Sequence, residues 1–463
     1  MATPDKAEAA PSRAGEGPLN RAISRNVLLL LVVGDVLGAG IYALVGEVGG
    51  RVGGAIWTAF ALSLALALFT AFAYAELVTK YPQAAGAALY VNKAWRKPLF
   101  TFMVAFTVMA SGLTSAATLS RGFGGDYLSV FIDAPVVLVG LIFIVVVALI
   151  NFRGIAESVR LNVVLTSIEL LGLVLVVVIG LAAIGDGGAG IDAGRALDFD
   201  GDETVLAAIL GGTGLAFFAL IGFEDSVNLA EEARDPGRDY PRALFGGLLI
   251  AGTIYLLVTV VASIAVPTGR LAGSSGPLLE VVQIGPLGMS TEVFSAIALF
   301  ALSNGALINM IMASRIVYGM ARERILPPQL GLVHPSRRTP WVAIVATTAI
   351  TMVLIASGGL SDLADTTVLL LLVVFTAVNI AVLVLRRDPV AHSHFRTPTA
   401  IPVIGAVVSV ALMTTKDADI FLRAGALLAF GLALWVLNWW LHGRHVDPYE
   451  TGQLEVVERR ELE

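Results

Sequence analysis

A chain of 463 residues that is 57% hydrophobic and 14% charged, with mean hydropathy +0.83, cannot hide its apolar surface in water. It has no cysteine, so disulfides, thiolate metal sites and cysteine nucleophiles are excluded. The net charge of −6 says less than the placement of the charges, and basic residues spread over loops give nucleic-acid binding no support.

Residues 1–20 are polar and rich in Ala, Gly, Pro and Glu. They lack a basic start followed by a short apolar run and a cleavage site, so a disordered cytoplasmic tail is expected rather than a signal peptide. From Asn26 to Leu441, apolar runs long enough to cross a bilayer recur. Twelve spans are predicted, near 26–49, 53–79, 98–122, 135–152, 160–184, 204–231, 242–266, 289–321, 341–358, 364–385, 401–415 and 420–441. The runs are too long and continuous for the alternation of a membrane barrel, so the fold class is an all-α polytopic membrane protein. The membrane domain is taken as 21–442, with a first half 26–184, a second half 204–385 and extra helices 401–441. Residues 443–463 form a second, charged cytoplasmic tail.

Basic residues fall in alternate loops. With the amino terminus inside, only Arg51, Arg121, Arg195, Arg270, Lys416 and Arg423 lie outside, and the other 24 of the 30 lie inside. That asymmetry supports both the span count and the orientation, because basic loops stay cytoplasmic. The outer loop 186–203 is acidic and reads as a solvated loop.

The first span contains GDVLGAGIYALVG, residues 34–46. Glycine costs about 1 kcal/mol against alanine inside a helix, and an unwound turn in lipid frees amides that need partners. Close packing through small residues is one explanation. The other is a deliberate break at Gly38–Gly40, with a second half-helix starting near Ile41. Its amino end would offer free N–H groups and the positive pole of the dipole, an anion site without side chains. The sixth span carries Gly211, Gly212 and Gly214, then Gly222, and is expected to break there with a half-helix ending near Phe218. Its carbonyls would suit an ammonium group. Amides facing carbonyls would suit a zwitterion. Interruptions five helices apart suggest two halves of inverted topology.

Acids inside the membrane are costly and so are candidates by default. Asp35 lies one turn before the first break and could bind an amine, a side-chain cation or a proton, or tie down freed backbone. Glu169, mid-span in helix five, can load and release a proton near neutral pH, coordinate a cation with Ser303 and Asn304, or simply bond across a helix interface. Glu224 and Asp225 follow the second break, in a coupling or a helix-start role. Glu76, Glu231 and Glu232 near the cytoplasmic ends are expected to pair with Arg234, Arg238 and Arg315. All five histidines lie in loops or the tail, which leaves carboxylates as the proton-coupling candidates.

GAGIYALVGEVGG (38–50), YAELVTKYPQAAGAALYV (74–91), FFALIGFEDSVNLAEEARDPGRDYP (217–241), MASRIVYGMARERILPPQLGLVHPSRRTPWVA (312–343) and FRTPTAIPVIG (395–405) together carry a resemblance. From about Asn20 to His445 the chain resembles the amino acid–polyamine–organocation transporter superfamily, and looks closest to its cationic-amino-acid-transporter-like branch. The resemblance implies a five-plus-five inverted-repeat core with two extra helices, and alternating-access transport of amino acids or amines. It implies that amides of Gly38, Ala39 and Gly40, with Ile41 opening the half-helix, hold a substrate carboxylate. It implies that carbonyls of Phe217, Phe218, Ala219, Leu220 and Ile221 hold the amine, with Phe218 as an aromatic gate. Some relatives carry a Lys at the position of Glu169, in place of a sodium ion, and an acid near Glu224 fits their pattern. Where the cationic branch's acid in span three aligns, this chain has Ser111. A pocket lined by Ser111, Ser115 and Ser303 would suit small or neutral amino acids equally well.

The expected function is therefore a secondary transporter of amino acids in the cytoplasmic (inner) membrane, coupled to protons, or to sodium in their place. Both termini are expected to be cytoplasmic. An amino acid, amine or polyamine exchanger without net ion coupling is the alternative, and a substrate-sensing receptor a remote one. No enzymatic activity, cofactor or metal is expected: there is no Cys, no membrane His and no ligand cluster at helical spacing. The expected partners are a small amino acid or amine, the coupling ion and the lipid bilayer.

Overall fold

Every regular element among the described residues is a helix, as a chain whose backbone must satisfy itself in lipid requires. The computed structural model describes residues 24–442 apart from 84–85, 155–158, 188–189, 200–203 and 228–232; the side chains of 159–163 and 441–442 fall outside as well. Both expected tails, Glu231 and Glu232, and Asp200, Asp202 and Glu203 of the acidic loop lie outside the described residues.

In chain order the helices are α1 (Arg25–Val36), α2 (Gly40–Val52), α3 (Ile56–Lys80), α4 (Gly86–Trp95), α5 (Pro98–Phe123), α6 (Asp126–Ser129), α7 (Val136–Arg153), α8 (Val159–Asp186) and α9 (Val205–Leu220). They continue with α10 (Pro236–Ala265), α11 (Thr268–Ala272), α12 (Pro277–Ile284), α13 (Thr291–Arg322), α14 (Trp341–Ser357), α15 (Leu360–Leu385), α16 (Ala400–Met413) and α17 (Ala418–His442). Among the described residues nine helices are long and apolar enough to cross a membrane, and α1 with α2 forms a tenth such unit, bent by 43°. Two shorter apolar helices, α14 and α16, lie where spans nine and eleven are expected.

Local chemistry sets several of the ends. Thr204 accepts the Ala207 N–H at the start of α9, Asp235 accepts the Arg238 N–H ahead of Pro236, and Ser290 accepts the Val293 N–H at the start of α13. α7 stops at Gly154, which takes the left-handed conformation. Leu149, Leu257, Val353 and Leu422 are among the large apolar side chains left exposed, the surface a bilayer would cover.

Packing divides the helices into two groups. α1 packs on α10, α2 on α9, and α3 on both α9 and α10. α5 packs on α13 and α7, and α14 on α7 and α13. α8 touches both groups through α10 and α13, and α15 fits against α3, α5 and α9.

Two expectations are corrected here. The sixth span does not unwind at Gly211, Gly212 and Gly214; α9 runs through all three. Two of them are packing positions: a side chain on Gly212 would collide with Val52, and one on Gly214 with Lys416, while one on Gly211 would meet open space. Glu76 does not pair with Arg234, Arg238 or Arg315. It receives two hydrogen bonds from Arg386, at 2.9 and 2.8 Å, and the Thr397 N–H at 2.8 Å. The FRTP segment thereby docks on the end of α3, where Lys80 also donates to the carbonyls of Leu385 and Asp388. At the opposite end of α15, Asp365 is buried between Arg51, at 2.7 Å, and Lys416.

Candidate functional site

The two chain breaks meet. α1 ends at Val36 and α2 starts at Gly40, so the chain is unwound over Leu37–Ala39. α9 ends at Leu220, and Gly222 follows at φ +120°, a conformation that side chains rarely adopt. A Cβ on Gly40 would lie 2.8 Å from Ala219 Cα and 3.1 Å from the Phe218 ring. A Cβ on Gly222 would run into the Asp35 carbonyl oxygen and lie 2.8 Å from its carbon. Each break is therefore kept clear by a glycine against which the other break's backbone lies.

Some of the freed backbone is satisfied by protein. The Tyr255 hydroxyl donates to the Val36 carbonyl at 2.8 Å and to that of Gly38 at 3.4 Å. Glu224 accepts the Gly222 N–H at 3.0 Å. The first amides of α2 have no acceptor inside their own helix, as at any helix start.

Beside the breaks is a cavity lined by Gly34, Asp35, Gly38, Ala39 and Gly40, by Ser115 and Leu119 of α5, and by Glu169 of α8. Phe218, Ala219, Ile221, Gly222 and Asp225 close it from the second break, and Asn304, Gly305, Ile308 and Asn309 from α13. Three of these residues are acids, and none of them is basic. Glu169 is buried; its Oε1 accepts the Asn304 amide at 3.2 Å, while Oε2 has no hydrogen-bond partner. The Tyr42 hydroxyl fixes the backbone there by donating to the Glu169 carbonyl at 2.7 Å. Such a cavity can offer amides to an anionic group and carboxyls to a cationic group or a proton. No group of three or more His, Cys, Asp or Glu among the described residues is arranged to hold a metal.

Twelve of the residues singled out from the sequence line this cavity: Asp35, Gly38, Ala39, Gly40, Ser115, Glu169, Phe218, Ala219, Ile221, Gly222, Asp225 and Asn304. Six others do not, each for a physical reason. Ile41 and Leu220 point into the apolar core. Phe217 packs in an aromatic cluster, 6.0 Å from Phe375. The hydroxyls of Ser111 and Ser303 bond back to the carbonyls of Val108 and Leu299, both at 2.7 Å. Glu224 is turned onto the break itself, and Asp225 takes the place beside the cavity. Leu119, Gly305, Ile308 and Asn309 were missed, although the spacing was legible: Leu119 is one turn from Ser115, and Ile308 and Asn309 are one turn from Asn304 and Gly305.

A multi-pass helical protein with an acid-lined cavity between two opposed helix breaks has the build of a membrane permease. The amino acid permease family model matches residues 25–430, and the chain belongs to that family. The branched-chain amino acid permease BcaP of Bacillus subtilis is 25% identical, over 84% of this chain and 86% of its own length. The vacuolar cationic amino acid transporter 4 of Arabidopsis thaliana is 29% identical, over 81% of this chain and 65% of its own. The methylthioribose transporter of B. subtilis is 24% identical, over 90% and 93%.

Proposed function

We propose that the protein is a secondary active transporter of amino acids in the cytoplasmic membrane, coupled to protons and working by alternating access. α14 and α16 complete twelve spans, of which the first ten form two inverted five-helix halves and α16 and α17 are additions. Both termini are cytoplasmic. The amides of Gly38, Ala39 and Gly40 hold the substrate carboxylate, carbonyls at the end of α9 hold its amine, and Phe218 closes over it. Glu169 carries the coupling proton.

The observation that carries this reading is the reciprocal contact of the two breaks beside one cavity. Residues of both breaks line a space that is also lined by three acids. BcaP is named for branched-chain amino acids and the Arabidopsis relative for cationic ones. Leu119 and Ile308 would favour an apolar side chain, and Asp225 a cationic one.

Purified protein in liposomes is expected to accumulate a labelled amino acid when the lumen is alkaline. Absence of accumulation across a panel of amino acids would refute the coupling, and counterflow insensitive to the gradient would mark an exchanger instead. Glu169→Gln is expected to abolish gradient-driven accumulation while leaving exchange intact, because an amide cannot cycle a proton. Accumulation at the wild-type level would clear Glu169 of the role.

A further inference from the structure

Glu169 lines the cavity, and its two oxygens are in different circumstances. Oε1 is held by the Asn304 side-chain amide, and Oε2 is buried with no partner at all. A buried carboxyl oxygen without a partner is costly, so a native one calls for an explanation. The adjoining residue of α13, Gly305, faces the first break: a Cβ there would lie 3.6 Å from Ala39 Cβ and 4.0 Å from its amide nitrogen. Asn304 and Glu169 line the same cavity as the residues whose amides are proposed to take the substrate carboxylate.

We propose that Asn304 is a positioning residue that, by occupying Oε1, directs the coupling proton to Oε2, from which it is donated to the carboxylate of the bound amino acid. This rests on the reading of the cavity as an amino acid site. An ionised Glu169 beside a second carboxylate would place two anions together out of water. A protonated one forms a neutral-to-charged hydrogen bond, which is among the stronger kinds. Substrate and proton then bind as a pair: Glu169–COOH and substrate COO⁻ share one hydrogen and one net negative charge. A solute that lacks the carboxylate has no need of that proton.

The neighbours of Glu169 fit this assignment. Asp35 and Asp225 line the same cavity from the two breaks, and Glu224 lies behind Asp225 on the Gly222 amide. The phenols of Tyr42 on α2 and Tyr255 on α10 are committed to backbone carbonyls. α13 presents the uncharged Asn304 at this level, and on α12 Glu280 is paired with Arg270. Among the described residues, no cation is bonded to Oε2.

Binding of a labelled amino acid to the purified full chain, and of the amine formed by removing its carboxylate, would be measured from acid to alkaline pH. Amino acid affinity is expected to fall about tenfold per pH unit once Glu169 ionises, while the amine shows no such loss. Glu169→Gln should bind the amino acid without that pH dependence. Asn304→Ala should bind it about tenfold more weakly and with a displaced pH midpoint. A merely structural role for Asn304 would lower the melting temperature and leave the midpoint in place, which would overturn the proposal. Parallel pH profiles for amino acid and amine would overturn it too, while leaving amino acid transport standing. If no amino acid binds at any pH, both readings fall.

Discussion

Replacing Gly222 by alanine is expected to abolish transport and to lower the melting temperature of the purified protein. The residue sits at φ +120°, where an L side chain costs on the order of 1–3 kcal/mol. Its new methyl group would also be driven into the backbone of Asp35, 2.8 Å from the carbonyl carbon, and backbone cannot turn aside as a flexible side chain can. Overpacking of this kind adds roughly 1–3 kcal/mol. Relief requires the two breaks to move apart, which takes the amides of α2 away from the end of α9. Gly40→Ala is the graded comparison: it meets Ala219 Cα at 2.8 Å and is not among the positive-φ glycines, so it should cost less. Thermal melts and liposome uptake on both variants check this. Wild-type uptake by Gly222→Ala would mean that the breaks need not touch.

Asp365→Ala should destabilise the fold by about 3–5 kcal/mol, the usual cost of stripping one partner from a buried ion pair. The Lys416 side chain is only 1% exposed and has Asp365 as its counter-ion, whereas Arg51 is 33% exposed and can turn to water. The loss therefore falls chiefly on the ammonium group of Lys416, enclosed beside Gly214 of α9. Removing both charges, as Asp365→Leu with Lys416→Met, should recover most of the stability, because the pair's attraction only offsets the cost of its burial. Added salt should change neither result much, since a buried pair is poorly screened. Unfolding of the single and double variants in detergent measures the difference. A single variant that melts with the wild type would show that water reaches Lys416.

The ion pairs also mark where sequence reasoning stopped. Glu76 could be placed near the end of its span, but not given its partner: Arg386 is 310 residues away, and the candidates considered were simply other cations expected on that side. Lys416 was counted as an outer-loop charge, yet it points inward to meet Asp365. Composition places a charge along the bilayer normal, and only packing decides its bearing around that axis.

What the sequence determined by itself was whatever depends on short stretches of chain. Hydropathy over about 20 residues fixed the helical membrane class, and the glycines of 34–46 marked the first break, because both effects are local. Glycine alone could not locate the second break. Gly212 and Gly214 let Val52 and Lys416 approach, whereas Gly222 is there for its backbone angle, and the two uses look alike in a string of letters. The tertiary structure decided that the breaks lie against one another, that Asp225 rather than Glu224 borders the cavity, and that Asn304 leaves one oxygen of Glu169 free. Those facts depend on how separate helices rotate and pack, and that rotation is set by side-chain fit across the whole bundle rather than by any one segment.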